Sequence, residues 1–162
     1  MKLLRTIRFD ASDERVYEIA AAPGEWAVSG AFAFADVGAD ALIGKTRQAF
    51  ANGFLGVASF GRSTFARVAE ANEADRAEIE QRLADHFVTR YGAPSREAAL
   101  PAAREEVDFA AELAEGAPIN TVFTVRRTRA PDGATKEEFR TIRPPAGEPM
   151  HARIWTVVDD DA

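Results

Sequence analysis

Two stretches of this 162-residue chain carry glycines in the manner of loops that hold phosphate or a nucleophile, and neither has the required spacing. The run Gly38-Ala39-Asp40-Ala41-Leu42-Ile43-Gly44-Lys45-Thr46 ends like a phosphate loop. Such a loop needs four residues between its glycines so that backbone amides close around the phosphate, and here there are five. A helix starting near Asp40 would also set Lys45 inside it rather than at its mouth, so Lys45 reads as a surface lysine on an amphipathic helix. The run Gly56-Val57-Ala58-Ser59-Phe60-Gly61 imitates the G-x-S-x-G elbow that lifts a nucleophilic serine. One residue too many separates Gly56 from Ser59, and a strand rather than a helix is expected next. The glycines read better as letting an apolar loop turn tightly over the core.

The other reactive side chains are scattered. There is no cysteine, which excludes disulfides, thiolate nucleophiles and cysteine-ligated metals. Of the two histidines, His86 is flanked at helical spacing by Arg82 and Arg90, a poor setting for a metal ligand, and His151 follows a proline-rich loop. No H-x-x-x-H spacing exists. The carboxylate pairs Glu105-Glu106, Glu137-Glu138 and Asp159-Asp160 lack the apolar context that would raise a pKa for acid–base work. Arg126, Arg127, Arg129, Arg140 and Arg143 could grip an oxyanion bidentately. Cross-strand pairing of Arg127 with Glu137 and Arg126 with Glu138 is the preferred reading of that set. No catalytic residue, metal or cofactor is assigned.

What remains is the apolar, glycine-punctuated stretch 53–62. Apolar loop residues cover a core, line a pocket or meet a partner. The leading expectation is a non-catalytic binding or accessory protein that uses this loop, through Phe54, Leu55, Ser59, Phe60 and Arg62, against a protein partner, a second copy of itself in a homodimer, or a small apolar ligand. The alternative is an enzyme of unrecognised type with a small pocket at the same loop, drawing on Ser59, Arg62 and His151. The two differ in whether convergent polar groups meet in a concavity.

The elements that must position this loop read as an α+β pattern, βββαβααβββ along the chain: one domain over 1–162, mainly antiparallel sheet with about three helices packed on it. Strands are expected at 3–9, at 15–20 with Tyr17 and Ile19 inward, and at 26–35. A helix from Asp40 would end on a left-handed cap at Asn52-Gly53, and a strand follows at 63–70. Asn72 and Asp75 open a helix carrying Ile79, Leu83, Phe87 and Tyr91 every four residues, stopped by Gly92 and Pro94. Pro101 is expected at the first position of the next helix. Strands 121–129 and 135–142 form a hairpin across Pro131-Asp132-Gly133, and 153–158 closes the sheet. Residues 159–162 read as a disordered tail.

The net charge of −6 is not spread evenly. Residues 72–116 hold eleven acids and five arginines, while the segments on either side balance. An acidic middle disfavours nucleic acid as a partner, since phosphate needs a basic surface, and it reads as a solvated helix face. No apolar run approaches a membrane span of ~18 residues, and the opening residues have no signal-peptide core. The expected compartment is therefore the cytoplasm, away from the membrane.

The opening LLRTIRFDASD, the stretch AAPGEWAVSGAF and the segment GFLGVASFGRSTF together resemble a family of short bacterial proteins carried as a domain of unknown function. The resemblance runs the whole length, including EEFRTIRP in the terminal hairpin. It implies a cytoplasmic bacterial protein and carries over no functional residue.

Overall fold

The computed structural model describes residues 1–143 and 156–159, the side chains of Arg143 and 156–159 excepted. The α+β class is as the sequence implies. One antiparallel sheet runs in the order β4-β3-β2-β1-β5-β6-β7-β8. Its strands are β1 (Lys2–Ile7), β2 (Trp26–Val28), β3 (Phe54–Gly56), β4 (Arg62–Ser63), β5 (Phe65–Glu70), β6 (Val122–Arg129), β7 (Thr135–Arg143) and β8 (Thr156–Asp159). The helices are α1 (Ser12–Val16), α2 (Gly44–Asn52), α3 (Glu73–Tyr91) and α4 (Arg96–Glu115).

The sheet must curl. Ser29, directly after β2, donates through Oγ to the Glu137 carboxylate of β7 at 2.5 Å. Four strand intervals separate β2 from β7 in the sheet order, which laid flat would span about 19 Å. Only a strongly curved sheet lets two short side chains close that distance. Helices α3 and α4 pack as a pair against the core that the curve encloses. Ile79, Leu83, Ala84 and Phe87 of α3 and Ala99, Ala103, Val107, Ala110 and Ala114 of α4 are buried there. The small alanine seam of α4 lets the two helices and the sheet approach closely.

The elements with strong local signals form where the sequence places them. Helix α3 has the full capping box, Asn72 Oδ1 accepting from Asp75 N–H and Asp75 Oδ2 from Asn72 N–H, and it ends on left-handed Gly92. The β6–β7 hairpin pairs Arg127 with Glu137 and Arg126 with Glu138 around Gly133 at φ 89°.

Elsewhere tertiary contacts override local pattern. The strand expected at 26–35 stops at Val28: Gly30 turns left-handed (φ 79°) and residues 31–34 form a 3-10 turn. That turn sends neighbouring aromatics to different helices, Phe32 against Phe87 and Tyr91 of α3, and Phe34 against Phe50 of α2. The strand expected at 15–20 is instead the end of α1, followed by bends at 17–19 and a single bridge, Ala20 to Arg62. Tyr17 is buried as expected, but Ile19 is 58% exposed. Helix α2 starts at Gly44 rather than Asp40, leaving Ile43 outside and Lys45 in its first turn; Gly53, at φ −97°, is not a left-handed cap. Helix α4 starts five residues before Pro101, because the Ser95 hydroxyl accepts from Ala98 N–H and so supplies the cap. The observed order is thus βαβαβββααβββ. Asp159 ends β8, while Trp155 and 160–162 lie outside the described residues.

Candidate functional site

The loop 53–62 divides into a buried stem and an exposed tip. Phe54, Leu55 and Val57 are core residues, with Phe54 wholly enclosed beside Phe139. Of the apolar residues in this loop, Phe60 alone is half-buried. The tip is organised by Glu25. Its carboxylate accepts from Ser59 N–H (2.8 Å), Ser59 Oγ–H (2.8 Å) and Ala22 N–H (2.6 Å), and Ser59 Oγ in turn accepts from Gly61 N–H. The glycines make this closeness feasible: a Cβ on Gly56 would stand 2.6 Å from Glu25 Oε1, and one on Gly61 2.6 Å from the Ala20 carbonyl carbon. Phe60 is held at φ 57°, in the left-handed region that costs a non-glycine residue ~1–2 kcal/mol. There its ring lies flat on the His86 imidazole of α3, centroids 3.8 Å apart.

Between this tip and the end of α3 opens a cleft of about 360 Å³, lined by Ile19, Leu55, Ser59, Phe60, Arg62, His86, Arg90 and Tyr91. A second lobe of about 190 Å³ shares Ile19, Phe60 and Arg62 and reaches to Tyr17, Glu18, Phe34 and the Lys45, Thr46 and Ala49 face of α2. Four of the five residues assigned from sequence, Leu55, Ser59, Phe60 and Arg62, line this cleft, and Phe54 lies behind it.

Arg62 is the chemical centre of the cleft. Only 7% of it is exposed. Its Nη1 donates to Gly53 O at 3.2 Å and Nη2 to Gly30 O at 3.1 Å, with the guanidinium 4.8 Å over the Phe34 ring. Among the described residues it has no carboxylate partner. Burial first, and the neighbouring Arg127 cation second, pull its pKa down to about 9. Arg127 is more deeply buried but is compensated. Its Nε pairs with Glu137 at 2.8 Å, Nη1 donates to Phe50 O and Gly53 O, and Nη2 to Ser29 O. The two guanidiniums therefore share the Gly53 carbonyl.

Other groups nearby are tuned by burial. His86 is lowered from the ordinary histidine value, first by burial and then by the Arg90 and Arg62 cations. Tyr17 is pushed up to about 12 by burial; its hydroxyl meets Thr64 Oγ1 at 2.8 Å, and Thr64 in turn donates to Asp13 at 2.7 Å. Glu106 of α4 is pushed up by burial, against the opposing effect of the Gly30 N–H that it accepts. Among the described residues no cluster of three or more histidine and acidic side chains could hold a metal, and no described helix is long and apolar enough to cross a membrane. His151 lies outside the described residues.

Across residues 1–159 the chain matches a protein-family model described as a family of unknown function, DUF6505. The chain belongs to that family. The match agrees with the resemblance carried by the opening strand, the 21–32 stretch and the 53–65 segment. No curated protein and no solved structure matches it. In this DUF6505 chain, sequence reasoning missed Lys45, Ile19, Arg90 and Tyr91 as cleft residues. Each had a plausible surface or core role on its own element, and only the curl of the sheet brings three separate segments to one place. The sequence predicts cross-strand pairs for the arginines of the terminal hairpin. That holds for the Arg127 register, but Arg127 also crosses the interior, and Arg129 reaches back to the carbonyls of Phe34 and Val37.

Proposed function

We propose that this protein is a non-catalytic binding protein of the bacterial cytoplasm, and that the cleft beside loop 53–62 is its binding site. The observation that carries the reading is the loop tip itself: a strained Phe60 stacked on His86 beside the exposed Ile19 and Tyr91, in a concavity floored by Leu55 and Arg62. Backbone strain in a non-glycine residue is maintained only where surrounding contacts enforce it, and such residues gather at ligand sites. The volume of about 360 Å³ lies at the small end of small-molecule pockets, which run ~300–1,000 Å³. Binding is favoured over catalysis because the nucleophile candidate is committed elsewhere. Ser59 Oγ donates to Glu25 and accepts from Gly61 N–H, so it serves the loop.

The test is Phe60→Asp. Aspartate tolerates the left-handed backbone better than phenylalanine, so the circular dichroism spectrum should be unchanged. Titration of the wild-type protein with the neutral probe 1-naphthamide should move the backbone amide resonances of Ile19, Phe60 and His86, and the variant should lose those shifts. A wild-type sedimentation profile that becomes monomeric on substitution would instead make a second copy of the chain the occupant. Collapse of the fold in Phe60→Asp would reduce the loop to a lid on the core and end the proposal.

A further inference from the structure

We infer that the ligand of this cleft carries an oxyanion, a carboxylate or phosphate on an apolar body, and that Arg62 is its charge partner. The inference rests on the binding reading above and adds the chemistry of what is bound.

A guanidinium offers five N–H donors in a planar fork. Arg62 directs two hydrogen bonds to carbonyls and has no ion pair among the described residues, although it is as enclosed as a core side chain. A buried cation without a hydrogen-bonded carboxylate is costly, because the more distant Glu106 offsets only part of the desolvation. Arg127, on the same carbonyl of Gly53, shows what compensation looks like in this fold: a carboxylate at 2.8 Å. An incoming oxyanion would give Arg62 the equivalent partner, in the bidentate geometry that guanidinium favours.

The surroundings agree. The first turn of α2 presents Lys45 and Thr46 to the lobe that contains Arg62, and Arg90 lines the other lobe. Helix N-terminal turns favour anions through their free N–H groups and dipole. Glu18 is the acidic side chain on the lining, and it shares its lobe with Lys45. The cleft is thus net cationic in a chain whose net charge is −6. Beside these charges, Ile19, Phe60 and Tyr91 supply an apolar wall that free phosphate would not need, which is why the ligand is assigned an apolar body.

The test uses isosteres on the full chain: 1-naphthoate, its neutral counterpart 1-naphthamide, and 1-naphthyl phosphate, titrated by amide chemical shift and by calorimetry. Naphthoate or naphthyl phosphate should bind at least tenfold tighter than the amide, with shifts at Ile19, Phe60 and Arg62; the tighter of the two anions identifies the source. The double variant Lys45→Gln/Arg90→Gln changes only exposed side chains. It should weaken the anions several-fold more than it weakens the amide. Equal binding of all three probes at those residues would overturn the oxyanion while leaving the cleft as a binding site. Binding of none of them there would overturn both readings.

Discussion

Removing the Arg127 side chain should be among the most damaging single changes available to this fold. Arg127 is 2% exposed. It ties together β6, the end of β2, the end of α2 and β7 through Glu137, Ser29 O, Phe50 O and Gly53 O. In Arg127→Met the apolar volume is largely kept, but Glu137 loses its cation and the carbonyls of Ser29 and Phe50 lose a donor. Breaking a buried pair from one side costs ~3–5 kcal/mol. For a chain of this length each kcal/mol moves the thermal midpoint by roughly 2–4 °C, so the drop should be roughly 6–20 °C. Urea unfolding followed by circular dichroism would give the free energy, provided the slope is unchanged. Adding Glu137→Leu should recover part of the loss, since the carboxylate left without its cation disappears. It should not recover all of it, because the carbonyls stay unpaired at ~1–3 kcal/mol each. A loss below about 1 kcal/mol in the single variant, the level of a surface ion pair, would refute the view that this arginine fastens the curl of the sheet.

Further expectations follow from the same geometry. Gly30→Ala and Gly24→Ala both place a Cβ at positive φ, but only at Gly30 would it meet Leu55 Cβ at 2.5 Å and Arg62 Nη1 at 2.8 Å. Thermal melts should therefore show the Gly30 variant clearly less stable than the Gly24 variant, and equal losses would contradict the packing. Leu83→Ala removes a fully buried side chain from the α3 stripe and should cost roughly 2–5 kcal/mol by urea denaturation. Glu106 has its folded pKa raised, so the stability it contributes is complete below its ordinary 4.5 and is lost as pH rises through the folded value. Glu106→Gln should hence stabilise the protein at pH 7, with the gain vanishing in melts below pH 4.5. Tyr17, also raised, should lose its contribution as pH climbs from 10 towards 12; a Tyr17→Phe variant should flatten that alkaline limb of the stability profile.

The parts of this protein legible in its sequence are those whose signals lie within a few residues of each other. The capping box of Asn72 and Asp75, the four-residue stripe from Ile79 to Phe87 and the Pro131-Asp132-Gly133 turn act through local hydrogen bonds and helical or pleated periodicity. They form as written, and with them the α+β class and the register that sets Arg127 against Glu137. The tertiary structure decided what those signals could not reach. Alternating large and small residues from Trp26 to Ala35 resemble a strand, but Gly30 turns left-handed, with no room for a side chain beside Leu55 and Arg62, and Phe32 and Phe34 pack on two different helices. Pro101 looked like a helix start, yet Ser95 had already capped the helix. The loop 53–62 was recognisable as unusual from its glycines alone. Whether each of its side chains faced the core or the cleft depended on Glu25, His86 and the curl of the sheet, all distant in sequence. A buried Arg62 with no carboxylate partner among the described residues is invisible in the sequence for the same reason: charge compensation is a property of three-dimensional neighbours, and the carboxylate nearest along the chain need not be one of them.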